Sequence, residues 1–340
     1  MIAVGLMALL AFRVYRRLTR TSRGRSVAGL RVVITGGGRG IGAQTVLDLA
    51  SSGAAQIVLG VRRPDADYVQ AVVAAAQELG ADASALALDV SSVESVNAFA
   101  EALEMEAVDV LVNNAGVLGL DAALLPHTCG RDDCEVEGVD VTMATNAVGH
   151  VALTAALLPA LRRGGKDGHP ARVVNVSSVL HGVAGGLDVG YWKGQNDGGG
   201  GIPRYAQSKL ANVVFTHYLA RVLDSEHVVA ASVHPGNVIT DVTVNYFGPT
   251  LAAILNPIAT GLAWVLWALD IAWSIRPRSK GGEGIIHAIS SPEVDYLSGA
   301  YFDIDTLALA SPLSYDPSVV RTTSEILLHL AGDVDFYPTV

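Results

Sequence analysis

The stretch Val32-Val33-Ile34-Thr35-Gly36-Gly37-Gly38-Arg39-Gly40-Ile41-Gly42 constrains this chain more than any other. An apolar run breaks into a glycine cluster, and a helical pattern begins at once with Ile41, Val46, Leu47 and Leu49 as its apolar face. That order reads as strand, tight turn, helix. Glycine permits positive φ, and without a Cβ it lets a phosphate approach the backbone. The helix start adds unpaired N–H groups and the positive end of its dipole. Glycine clusters occur in many turns, so the meaning of this one depends on the rest of the chain.

Strands and helices alternate after it. Arg31–Thr35, Gln56–Val61, Ala85–Val90, Val108–Val112, Arg172–Ser177 and Val228–His234 read as strands. Gly40–Ser52, Asp65–Leu79, Val93–Met105, Val141–Leu161, Tyr205–Leu223 and a tail helix over Tyr315–Leu330 read as helices. Strands apolar on both faces and separated by helices imply a parallel sheet covered on both sides. Right-handed crossovers then give a doubly wound α/β fold, with ligands at the carboxyl ends of the strands. No period of about 20–50 residues repeats, which excludes a solenoid. Residues 27–340 form one Rossmann-like domain in this reading.

Three segments interrupt the alternation. Leu118–Gly138 is polar and carries both cysteines, Cys129 and Cys134. No zinc pattern surrounds them, and they read as free thiols, with a local disulfide left open. His181–Pro203 is rich in glycine. Tyr246–Arg276 is apolar, with Trp264, Trp267 and Trp273 near its end. It reads as a helical flap over a pocket, its outer face able to dip into a membrane interface; an ordinary buried helix pair is the alternative.

Charge sharpens the picture. Charged residues make up 16% of the chain, below the usual quarter or so of a soluble domain. The formal net charge of −10 argues against a nucleic-acid partner, whose footprint is basic. Met1–Phe12 is apolar or glycine, and Arg13, Arg16, Arg17, Arg20, Arg23 and Arg25 come after it. The charges lie after the apolar run rather than before it, unlike a secretory signal. Residues 1–26 therefore read as a membrane anchor and basic linker, with the domain on the cytoplasmic face of a membrane such as the endoplasmic reticulum. A mitochondrial targeting segment is the alternative.

Chemistry gathers at the strand ends. Asp89-Val90 ends the third strand, Asn113-Asn114-Ala115-Gly116 the fourth and Ser177-Ser178 the fifth. Tyr205-Ala206-Gln207-Ser208-Lys209 opens a helix soon after, and residues four apart share a helix face. An ammonium beside a phenol lowers the tyrosine pKa from about 10. A tyrosine so tuned passes a proton to or from a carbonyl oxygen, and a serine hydroxyl can hold the same oxygen. His150, His181 and His234 have no clustered acid or cysteine partners in the sequence and read as packing or hydrogen-bonding residues, with no metal site. Asn175-Val176-Ser177 matches a glycosylation acceptor but lies in a buried strand.

With Thr35–Gly42, Asn113–Gly116, Asn146, Ser178, Tyr205, Lys209 and Pro235-Gly236 in this order, the sequence resembles the short-chain dehydrogenase/reductase family over roughly Leu30 to Asp305. Asn146-Ala147-Val148-Gly149-His150 and Ser232-Val233-His234-Pro235-Gly236 make it most similar to the retinol dehydrogenase-like branch, which includes the WW-domain-containing oxidoreductase. The resemblance implies Tyr205 as general acid or base, Lys209 as its tuning partner, Ser178 as the substrate-oxygen ligand and Asn146 as a proton-relay residue. It implies cofactor contacts from Gly36, Gly40, Ile41, Gly42, Asp89, Val90, Asn113, Ala115, Gly116, Tyr205, Lys209, Pro235, Gly236 and Thr240.

The second strand ends Gly60-Val61-Arg62-Arg63, without the carboxylate that binds a ribose 2′-hydroxyl, and Arg39 stands in the glycine turn. Guanidinium groups there suit a 2′-phosphate, so NADP(H) is expected over NAD(H). The expectation is an NADP-dependent oxidoreductase of a lipophilic alcohol, aldehyde or ketone, of retinoid, steroid or fatty-aldehyde type. The alternatives are a membrane-tethered cofactor-binding regulator with little turnover, and a soluble reductase of small carbonyls. A homo-oligomer is compatible with each.

Overall fold

The computed structural model describes residues 25–118, 139–165, 168–192, 201–225, 227–238, 275–276 and 280–336. The N-terminal apolar run, both cysteines, Thr240 and nearly all of the flap lie outside the described residues.

The first half of the chain runs β1 (Arg31–Thr35), α1 (Gly40–Ser51), β2 (Gln56–Val61), α2 (Asp67–Glu78), β3 (Asp82–Ala87), α3 (Val93–Ala102) and β4 (Val110–Asn113). A long helix α4 (Val141–Gly164) leads to β5 (Ala171–Val176). Then come α5 (Val189–Trp192), α6 (Gly201–Val222) and β6 (Val228–His234). The short strands β7 (Asn237–Val238) and β8 (Ile275–Arg276) pair with each other in parallel. The chain closes with α7 (Glu283–Ser290), α8 (Glu293–Tyr296), β9 (Ala300–Asp303), β10 (Thr306–Ala308) and α9 (Pro317–Leu330).

One eight-stranded sheet has the order β10-β9-β6-β5-β4-β1-β2-β3, parallel except for the β9–β10 hairpin. The chain steps outward from β1 to β3, then returns to the other side of β1 with β4. That reversal is the switch point at which a parallel sheet opens a crevice at its carboxyl edge. Period-2 alternation divides the core between the two faces. Val32 and Ile34 pack on one side with α1, α2 and α7, while Val33 packs on the other with α3, α4 and α6. α4 is apolar and long enough to cross a bilayer, but it is mostly buried inside the protein and serves as a core helix.

The third strand begins and ends three residues earlier than its apolar content indicates, at Asp82–Ala87 rather than Ala85–Val90. It is the sheet edge, and Ala83 is its one fully buried position. Leu88, Asp89 and Val90 leave the ladder and turn into the crevice.

Candidate active site

The glycine turn forms the floor of a cleft of about 870 Å3 at the carboxyl ends of the strands. Gly36 and Gly40 take positive φ, at 67° and 55°. A Cβ on Gly42 would stand 2.3 Å from the Gly36 carbonyl oxygen and 2.6 Å from Asn114 Nδ2, so the turn closes only around hydrogen at that position. α1 begins at Arg39 without a side-chain cap and with no acid in its first turn, which leaves its opening N–H groups for an anion. Arg39, Arg62 and Arg63 line the same end of the cleft. A narrow glycine cradle, a bare helix start and a guanidinium cluster fit a phosphate-bearing dinucleotide.

Thr35 and Asn114 brace this floor. Thr35 Oγ1 accepts from the Asn114 and Ala115 backbone N–H groups at 2.9 and 2.8 Å. With both acceptor positions filled, its own hydroxyl donates to His150 Nε2 at 2.9 Å. His150 then carries its proton on Nδ1 and donates to the Asn146 carbonyl at 3.2 Å. Burial holds this ring neutral, with its pKa lowered to about 3. Asn114 Nδ2 donates to the Thr35 carbonyl at 2.7 Å. Asn113 turns the other way, into the sheet, and donates to Asn175 Oδ1 at 2.8 Å and Thr154 Oγ1 at 3.1 Å. The structure brings Asn114, Ala115 and Gly116 to the cleft wall and not Asn113.

The second half of the site grows from β5 and α6. Ser177 and Ser178 leave an extended strand in succession and so point to opposite sides. Ser177 Oγ donates inward to the Lys209 carbonyl at 2.9 Å. Ser178 faces the cleft, where its hydroxyl lies close enough to the Tyr205 phenol to pull its pKa down. Lys209 Nζ donates to the Val176 carbonyl at 2.8 Å and lies 5.5 Å from the centre of the Tyr205 ring. Burial dominates both groups: it pushes the phenol up to about 12 and pulls the ammonium down to about 8. The lowering of Tyr205 by Lys209 expected from their spacing is therefore not seen in the protein by itself. Only the Ser178 hydrogen bond opposes burial at the phenol.

Asn146 sits beneath this pair, fully buried, in a π-helical turn (Ala144–Val148) within α4. Such single turns mark functional positions in helices. Its amide grips the opposite strand end, accepting from Val117 N at 2.7 Å and donating to Val117 O at 2.9 Å. It also donates to Ser208 Oγ at 2.9 Å. A Cβ on Gly116 would lie 3.3 Å from Asn146 Oδ1 and 3.5 Å from Lys209 Nζ, so both polar groups converge on that one glycine. Asp89 and Val90 line the far wall, where Asp89 Oδ1 accepts from the Ser91 N–H and hydroxyl. Pro235 and Gly236 line the near wall beside His234.

Tyr68, Thr145 and Leu180 are among the cleft residues that escape a reading of the sequence by motif. Tyr68 comes from the first turn of α2, whose distance from the glycine turn is fixed only by tertiary packing. The loop ahead of Tyr205 is tied down by Gln207, which accepts from Trp192 Nε1 at 3.0 Å and Asp188 N at 2.9 Å. Arg204 adds an ion pair with Asp140 at 3.0 Å. His181 is buried; its Nε2 accepts from Ser311 N at 3.0 Å, so its Nδ1 donates to the Ser178 carbonyl.

This fold, with its glycine turn and its serine, tyrosine and lysine on one cleft, defines a dinucleotide-dependent oxidoreductase of the short-chain type. The model of the short chain dehydrogenase family matches residues 31–248. The chain belongs to that family, in its retinol dehydrogenase-like branch. It is 32% identical to retinol dehydrogenase 12 of Mus musculus over 283 residues, covering 81% of this chain and 78% of that one. It is 34% identical to polyprenol dehydrogenase of Homo sapiens over 275 residues, covering 79% and 75%. Among solved structures, the Pseudomonas aeruginosa RhlG/NADP active-site complex superposes with a TM-score of 0.57 at 25% identity, covering 82% of this chain and 96% of that one.

Proposed function

We propose that this protein is an NADP(H)-dependent oxidoreductase that interconverts a lipophilic alcohol and its aldehyde or ketone. The observation that carries the reading is the meeting of Tyr205, Ser178 and Lys209 on the cleft whose floor is the glycine turn. The nicotinamide dinucleotide would supply the hydride in reduction and accept it in oxidation.

The residues divide the remaining work. The turn Gly36–Gly42 and the start of α1 hold the pyrophosphate, and Arg39, Arg62 and Arg63 favour a 2′-phosphate. Asp89, Val90, Ala115 and Gly116, which line the cleft, would flank the adenosine half, and Pro235 and Gly236 the nicotinamide half. Tyr205 donates its phenolic proton to the carbonyl oxygen in reduction and takes one from the hydroxyl in oxidation. Ser178 holds the same oxygen through a second hydrogen bond. A phenol pushed up to about 12 needs positive charge beside it to ionise near neutrality, and Lys209 is the nearby cation that can provide it. Asn146 fixes the strand end at Val117 and the helix at Ser208, and so sets the distance across which a proton leaves through Lys209.

A lipophilic substrate is supported by Val117, Leu118, Val141 and Leu180 on the cleft wall, and by relatives named for retinol and polyprenol. Residues 1–26, an apolar anchor followed by a basic linker, tether the catalytic domain 27–340 to a membrane in this reading. The test is a screen with NADPH and NADP+ against retinoids, steroids and fatty aldehydes, with Tyr205→Phe as control. Turnover that falls at least about a hundredfold in the variant, with cofactor affinity kept, supports the assignment. Undiminished turnover refutes it. Tighter binding of NAD than of NADP refutes the cofactor choice.

A further inference from the structure

Arg39 stands at the head of α1, exposed to solvent, with its guanidinium carbon 3.7 Å from the centre of the Tyr68 ring. A cation that close to a ring centre lies flat on the ring face. The contact is built by the backbone of both elements. A Cβ on Gly38 would meet Val69 Cγ2 at 2.8 Å and Tyr68 Cε2 at 3.5 Å, so the glycine turn rests directly on the first turn of α2. Val69 is wholly buried and fixes that turn, which leaves its neighbour Tyr68 facing the cleft.

Stacking uses the flat face of the guanidinium. Its N–H donors lie in the plane and point outward from the edge, in the fork that matches a phosphate. An exposed arginine without a support loses rotamer freedom when it binds an anion; one already plated on a ring has lost it beforehand. Arg62 and Arg63 line the same end of the cleft. Asp65 and Asp67 precede Tyr68 in sequence but do not line the cleft, and the one carboxylate among the described residues that does, Asp89, accepts from Ser91.

We propose that Tyr68 is a positioning residue that holds Arg39 edge-on to the cleft as a receptor for the phosphomonoester on the adenosine ribose, and so selects NADP(H) over NAD(H). The proposal rests on the cofactor choice made above, and it adds a residue beyond the glycine turn that no dinucleotide motif contains.

Calorimetric titration with 2′,5′-ADP and with ADP tests it without any turnover, since the two probes differ in the position of one phosphate. The parent protein should bind 2′,5′-ADP more tightly. Tyr68→Ala should weaken 2′,5′-ADP about three- to tenfold and leave ADP within about twofold. Tyr68→Phe should restore the parent value, because the ring face and not the hydroxyl carries the contact. Arg39→Ala should cost more, and adding Tyr68→Ala to it should cost little further, as expected of one coupled pair. Tyr68→Leu keeps side-chain bulk and replaces the alanine variant if that one fails to fold. Three results overturn the proposal: equal weakening of both probes, which makes the ring an adenine support; no change in Tyr68→Ala; or additive losses in the double variant. If the parent itself lacks a preference for 2′,5′-ADP, the cofactor choice fails and this proposal falls with it. A parent preference that survives in Tyr68→Ala removes the positioning role alone.

Discussion

Lys209 makes a prediction whose sign and size both come from burial. Its side chain is 3% exposed, and desolvation pulls its pKa to about 8 from an ordinary 10.5. A tenfold loss of proton affinity is about 1.4 kcal/mol, so carrying the charge into the fold costs about 3 kcal/mol at neutral pH. Between pH 8 and 10.5 the unfolded chain still holds a proton that the folded one has released. Stability rises with pH wherever the unfolded state binds more protons, so this lysine becomes less destabilising as pH climbs through that window. From pH 7 to pH 9.5 the gain is about 2 kcal/mol. Tyr205 works in the opposite direction, but only above pH 10, where an unfolded phenol ionises while the folded one, pushed up to about 12, does not. Lys209→Met keeps the aliphatic stem and removes the titrating group. Urea unfolding of the parent and of Lys209→Met should be measured at several pH values between 7 and 9.5. Every other titrating group is common to the two chains, so the difference isolates the lysine. The parent should gain about 2 kcal/mol on the variant across this range. A flat difference, or one that moves against the parent as pH rises, refutes the claim that Lys209 is held charged in the fold against a desolvation cost.

Two further substitutions test the frame around the site. Gly42→Ala places a methyl 2.3 Å from the Gly36 carbonyl oxygen, so the turn must open; stability should fall by about 1–3 kcal/mol and NADPH affinity at least about tenfold, measured by fluorescence titration. Arg172→Met removes a buried guanidinium that donates to the Ile289 and Ser291 carbonyls and pairs with Asp295 at 2.7 Å; denaturant unfolding should show a loss of about 3–5 kcal/mol, because α7 loses the donor at its carboxyl end.

The parallel sheet was legible because its central strands are apolar on both faces. Val32–Ile34, Val110–Val112 and Val173–Val176 need no alternation to be recognised. The hairpin β9–β10 was not, because strands of four and three residues carry too little pattern to stand out from a loop. α7 and α8 were missed for the same reason: eight and four residues give barely two turns and one. Most residues expected from motifs line the one cleft, but the finer choice between neighbours was not legible. Asn113 and Asn114 are adjacent, as are Ser177 and Ser178, and strand alternation sends one of each pair inward. Which one depends on register, a property of the whole sheet. The expectation at Asn113 therefore passes to Asn114 at the turn, while Ser178, the serine preferred on motif, is the one that reaches the phenol.

Spacing also misses what solvent does. The four-residue interval between Tyr205 and Lys209 puts them on one helix face, and from that alone the ammonium should lower the phenol. The fold desolvates both, and this acts on the two pKa values in opposite directions: it favours neutral phenol and neutral amine alike. In the protein by itself the phenol is thus held neutral, while the ammonium keeps its charge at neutral pH against a desolvation cost. Charge entering the cleft with an anionic dinucleotide would change that balance for the lysine first, since an anion favours ammonium. An ammonium held more firmly charged would then favour the phenolate. In the proposed reaction the glycine turn at Gly36–Gly42 and the pair Tyr205–Lys209, which lie far apart in sequence, would in this way be coupled through electrostatics.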